Sequence, residues 1–121
     1  MHDDHIAFDA RFDELRARVL ARDWPDLEEA WGSFSTDIES HLAFEEEVLF
    51  PAHAKRGAEH RALVQRLRTV HVAIRALIEE IRAAIHSHEL RTWTIEVFIA
   101  LMREHVAIEN ERIYPGIAAA T

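Results

Sequence analysis

The chain has 121 residues, of which 22 are acidic and 14 are Lys or Arg, for a formal charge of -8, with three Gly, three Pro and no Cys. That length suits a single domain, read here as residues 1–121, with a core that needs no covalent staples. The lack of Cys excludes disulfide scaffolds, iron–sulfur clusters and thiolate zinc sites, and the acid excess argues against a nucleic-acid surface. No apolar run approaches a membrane span and Met1-His2-Asp3-Asp4 does not open a signal peptide, so the expectation is a soluble, cytoplasmic protein.

Scarce Gly and Pro among abundant Ala, Leu, Glu and Arg predict helix throughout. The first helix is expected over 5–22, with Ile6, Phe8, Phe12, Leu15 and Val19 on one side and Asp3 or Asp4 as cap. After a break at Asp23-Trp24-Pro25-Asp26, the second spans about 25–50, with Trp31, Phe34, Ile38, His41, Glu45 and Val48 as its stripe. Pro51 is read as its end, and 51–59 as a connection turning at Gly57. The third helix runs from about His60 to Ile85, with Leu63, Leu67, His71, Ile74, Ile78, Ile81 and Ile85 facing inward. A break at His86-Ser87-His88 precedes the fourth, about 89–114, whose apolar side takes in Trp93, Val97, Phe98, Leu101, Met102, His105, Ile108, Glu109 and Ile113. Four such helices with short links predict an all-α, antiparallel up-down four-helix bundle made of two hairpins, about 5–50 and 60–114.

The chain repeats itself once. Residues 40–51, SHLAFEEEVLFP, align with 104–115, EHVAIENERIYP, and 5–19, HIAFDARFDELRARV, align with 71–85, HVAIRALIEEIRAAI. Repeated packing accounts for the apolar matches, but not for a His and a Glu on the apolar stripe in both copies. Positions i and i+4 share one helix face, so His41 points with Glu45 and His105 with Glu109. A carboxylate in a bundle interior is costly unless it is paired or bound to metal, and two together repel. Cations between them, with imidazoles completing the donor set, remove both penalties and suit iron, with manganese or zinc also possible. The candidate metal ligands are His5, His41, Glu45, His71, His105 and Glu109, with the carboxylates bridging two ions. His53, His60, His86 and His88 are expected in surface or capping roles, and His2 in a mobile terminus.

A histidine on helix one, H-x-x-x-E-E followed by F-P, a histidine on helix three and a second H-x-x-x-E with a downstream proline together resemble the hemerythrin-like, or HHE, family of cation-binding domains. The likeness covers about 5–115. It implies a non-haem di-iron centre with an oxo or hydroxo bridge, bridged also by Glu45 and Glu109, with His5, His41, His71 and His105 as terminal ligands. It further implies dioxygen, peroxide or nitric oxide as small ligand, used in oxygen, iron or redox sensing, storage or stress response. The alternatives are a di-iron enzyme with peroxidase- or oxidase-like activity, and a metal-responsive interaction module. Protein partners and oligomeric state stay open. A ferritin-like oxidase would favour Glu-x-x-His pairs, and the chain has none.

Two positions depart from the oxygen-carrying pattern. Arg75 stands one turn along helix three where those proteins have another histidine, and Asn110 stands where their last carboxylate falls. Asp9, Glu46 or water are the candidates to fill the missing place. Loss of one nitrogen favours reactions with peroxide or oxygen, or altered tuning, over simple reversible carriage.

Overall fold

The computed structural model describes residues 2–115, with side chains from 8 to 115. The elements are α1 (His2–Ala21), α2 (Trp24–Phe44), a π-helical turn (Glu45–Leu49), α3 (Phe50–Ala54), α4 (Ala58–His86) and α5 (Thr92–Arg112). The long helices α1, α2, α4 and α5 make the expected antiparallel four-helix bundle. Around its square, α1 packs on α2 and α5, and α4 packs on the same two.

Local chemistry sets the helix ends. Asp23 caps α2, its Oδ1 accepting the Asp26 N–H at 3.3 Å, with Pro25 in the first turn where no donor is required. Gly57, at φ 138°, makes the turn into α4, a conformation that side-chain-bearing residues rarely adopt. At the far end of α4, His88 takes the left-handed conformation at φ 57°. There its N–H donates to Ile85 O and the Glu89 N–H to Ala84 O, which closes the last turn as a Schellman motif. Trp24 stacks on the His88 ring, with centroids 4.8 Å apart, and braces this unusual residue.

All seven inward positions expected on α4, from Leu63 to Ile85, are buried. On α5 the inward side is Ile95, Phe98, Ile99 and Met102, while Trp93 and Val97 face outward at 63% and 43% exposure. Further along α5 the expected side holds, with His105, Glu109 and Ile113 buried, so the difference is confined to Trp93 and Val97 near its start.

The larger difference lies at the end of α2, where Pro51 does not stop the helix. The π turn inserts one residue: the Phe50 N–H donates back to Glu45 O, and α3 carries on through Pro51. In that wider register the partner of Glu46 O would be the N–H of residue 51, which proline lacks. Arg68 Nη2 donates to that carbonyl at 3.2 Å instead. The extra residue also rotates the chain beyond it. Val48 turns outward at 49% exposure, Leu49 and Phe50 turn inward, and His53, expected in a connection, is buried on α3.

The core falls into two apolar blocks. The larger surrounds Phe12, Trp31, Phe34, Ile78 and Phe98, and the Trp31 Nε1–H donates to Ile78 O at 3.3 Å to tie α2 to α4. The smaller joins Phe50, Leu63, Val64, Leu67 and Ile113. His71 lies between Leu67 and Ile74 on α4, and His105 follows Met102 on α5, so the polar layer separates the blocks.

Candidate metal centre

Three segments build this layer. The end of α2 and the start of the π turn bring His41 and Glu45, the middle of α4 brings His71, and the second half of α5 brings His105 and Glu109. Each i, i+4 pair projects from one face, and both faces point at the bundle axis. Glu45, His71 and Glu109 are wholly buried, and His41 and His105 nearly so.

Donor atoms from Glu45, His71, His105 and Glu109 all lie within 4.8 Å of one another. His71 Nε2 lies 3.1 Å from Glu45 Oε1, and His105 Nε2 lies 3.2 Å from Glu109 Oε2. The two Nε2 atoms of His71 and His105 face each other at 2.9 Å. His41 is beside this group, its Nε2 3.1 Å from Glu45 Oε2.

Without a cation, protons have to balance this layer. Burial pushes the Glu109 carboxyl up to about 8, and Glu45 adds to the rise against the opposing pull of His105. Burial disfavours the charged form of His105, but the Glu109 and Glu45 carboxylates outweigh it and hold its pKa at about 9. The metal-free site therefore holds protons at neutral pH in places where a divalent cation would satisfy the same oxygens and nitrogens.

Neighbouring groups hold these side chains in place. The Tyr114 hydroxyl donates to Glu45 Oε2 at 2.9 Å. The His71 ring packs on Phe50 and the His41 ring meets the edge of Phe8, with centroids 5.1 and 5.4 Å apart. His71 Nδ1–H donates to Glu46 Oε2 at 2.7 Å, and Arg75 pairs with both oxygens of Glu46 at 2.6 and 3.0 Å. Burial raises the Glu46 pKa, but Arg75 and His71 together bring it below its ordinary value.

Five of the six residues expected as ligands thus meet in one layer. The sixth, His5, is in the first part of α1, with its side chain outside the described residues, as is that of His2. Neither additional candidate joins the four clustered donors. Asp9 is exposed on α1 and pairs with Arg103 at 2.8 Å. Glu46 is turned toward α4, where His71 and Arg75 hold its carboxylate, because Glu45 beside it on the turn takes the inward direction.

Sequence reasoning missed Tyr114, whose only signal was its alignment with Phe50 just before the repeated proline. It also missed the pairing of His53 with His60, where Nε2 and Nδ1 are 2.9 Å apart. His86 is exposed, as expected.

The donor set fits a metal. It is nitrogen and carboxylate oxygen only, converges from three helical segments, and is buried deeply enough that its charge calls for compensation. No helix of the described residues is long and apolar enough to cross a membrane. No curated protein and no solved structure matches the chain. The family model for the hemerythrin HHE cation binding domain matches residues 1–117. That match spans nearly the whole chain, both copies of the repeat and the buried His and Glu layer, and the chain belongs to the hemerythrin HHE cation-binding family.

Proposed function

We propose that the chain is a non-haem di-iron protein that binds dioxygen or a related small ligand, such as peroxide or nitric oxide. One observation carries this reading: the wholly buried carboxylates of Glu45 and Glu109 share a 4.8 Å cluster with His71 and His105. A pair of carboxylates kept at the centre of a core detracts from stability unless cations occupy the space between them. In this reading the Glu45 and Glu109 carboxylates, with the imidazoles of His5, His41, His71 and His105, would hold two ions. Bound iron would contribute one-electron chemistry and exchangeable coordination positions. The chain itself excludes bulk water, using Phe8 and Phe50 against the histidine rings, and holds Glu45 by the Tyr114 hydroxyl. Manganese and zinc suit the same donors.

A second reading, a di-iron enzyme with peroxidase- or oxidase-like turnover, draws on Arg75. It stands at the place of a further histidine and pairs with Glu46 at 2.6 Å, so it offers the site no nitrogen. Consumption of peroxide with a reductant, catalytic in protein, separates this from a carrier or sensor.

The test of the main reading is optical spectroscopy on protein loaded anaerobically with ferrous iron and then exposed to dioxygen. A charge-transfer absorption that develops on exposure is expected. The same experiment on the double variant His41→Ala/His105→Ala is expected to show no tightly held iron. Unchanged iron content in that variant would sink the ligand assignment.

A further inference from the structure

We propose that Glu46, locked by Arg75, is the positioning residue for His71, fixing the imidazole with a proton on Nδ1 and with Nε2 turned to the buried carboxylates. The effect on metal rests on the di-iron reading; the effect on the imidazole does not.

Glu46 is gripped at both ends by a single helix. Its carboxylate accepts from His71 Nδ1–H at 2.7 Å and from Arg75 Nη1 and Nη2 at 2.6 and 3.0 Å. Its backbone carbonyl accepts from Arg68 Nη2 at 3.2 Å. Arg68, His71 and Arg75 recur at three- and four-residue spacing, so they form one face of α4 turned to the π turn. A planar guanidinium holding both oxygens leaves the carboxylate little rotational freedom. A wholly buried imidazole, packed on Phe50 and tied at Nδ1, has one orientation left. That orientation puts Nε2 3.1 Å from Glu45 Oε1. A histidine ligand is held in its working tautomer by this kind of bond from its far nitrogen.

A Glu–Arg pair at these places occurs in one half of the repeat only. In the aligned half, Asn110 stands for Glu46 and Asp9 for Arg75, so the charge partner is reversed and the acceptor is an amide. Asp9 is engaged elsewhere, with Arg103 at 2.8 Å. The charged form of this support therefore belongs to the His71 half of the repeat. Arg75 serves the centre through Glu46 rather than as a donor to it.

The test uses the full chain with Glu46→Ala, Glu46→Gln and Arg75→Leu. In metal-free protein, nitrogen–proton correlation spectra of the imidazoles report the His71 proton directly. Wild type should show a downfield Nδ1–H resonance. Glu46→Ala should lose it, with the proton moved to Nε2. Glu46→Gln, which keeps an uncharged acceptor and spares the fold, should shift it upfield. With ferrous iron as the probe, release to a chelator should be about 10- to 100-fold faster in Glu46→Ala, and intermediate in the other two. A packing role alone would lower the melting temperature and leave the resonance and the release rate in place. An Nδ1–H signal unmoved in both Glu46 variants, or release within about twofold of wild type in Glu46→Ala, overturns the proposal. Wild-type protein that takes up no iron would count against the di-iron reading instead, and the metal-free spectra would still decide this one.

Discussion

The Tyr114 hydroxyl donates to Glu45 Oε2 at 2.9 Å across a sequence separation of 69. The last turn of the bundle is thereby fastened to the carboxylate that opens the π turn. Tyr114→Phe keeps the ring and removes this bond alone. A hydrogen bond to a charged acceptor is worth about 1.5–3 kcal/mol. The half-buried Tyr114 belongs at the lower end, so denaturant unfolding of the metal-free variant should show a loss of about 1.5 kcal/mol.

Ile78 is wholly buried in the larger apolar block, and its carbonyl accepts the Trp31 indole N–H. Ile78→Ala removes side-chain volume from a site where α2 and α4 are already tied and cannot close over the gap. The expected cost is about 3–4 kcal/mol, read as a lower urea midpoint with an unchanged denaturant slope.

Most of the fold was legible because its signals are local. The α4 stripe from Leu63 to Ile85 follows helical spacing alone, and all of it is buried. The two His-x-x-x-Glu pairs were legible for the same reason, since i and i+4 share a face whatever the tertiary surroundings. The π turn was not. Its extra residue depends on Arg68 of α4 satisfying the Glu46 carbonyl that Pro51 leaves without an N–H, a contact between residues 22 positions apart. From that one event follow the outward turn of Val48 and the burial of His53. Glu46 was readable as a carboxylate near the site, but its direction depended on the same rotation and on Arg75.

His53 makes the stability sensitive to acid. Burial, then the nearby charges of His60, Arg56 and Arg112, hold its pKa below the ordinary 6.5. The unfolded chain therefore takes up this proton first. Its contribution is complete above about pH 6.5 and is lost as the pH falls through the lower folded value. Unfolding midpoints measured from about pH 7 down to pH 5 should decline, and the decline should be shallower in His53→Leu. An equally steep decline in that variant would assign the acid sensitivity to other groups.

Loading should release protons. With Glu109 pushed up to about 8 and His105 to about 9, the metal-free layer is protonated at neutral pH, and a cation has to displace those protons. Affinity should therefore rise as the pH is raised from about 6 to about 9. Zinc, which has no redox chemistry, serves as the probe. Indicator dye in weak buffer should record proton release on zinc addition to wild type, and less in Glu109→Gln. Zinc uptake without proton release would contradict the protonated state assigned to the layer.

The buried carboxylates are the centre of the account, and counting iron tests them most directly. Metal-free protein equilibrated anaerobically with ferrous iron, freed of excess and analysed for metal, should retain about two irons per chain. The double variant Glu45→Ala/Glu109→Ala should fold and retain almost none. Wild type that retains no iron, or a double variant that retains as much as wild type, would contradict the claim that Glu45 and Glu109 are kept in the core to hold metal.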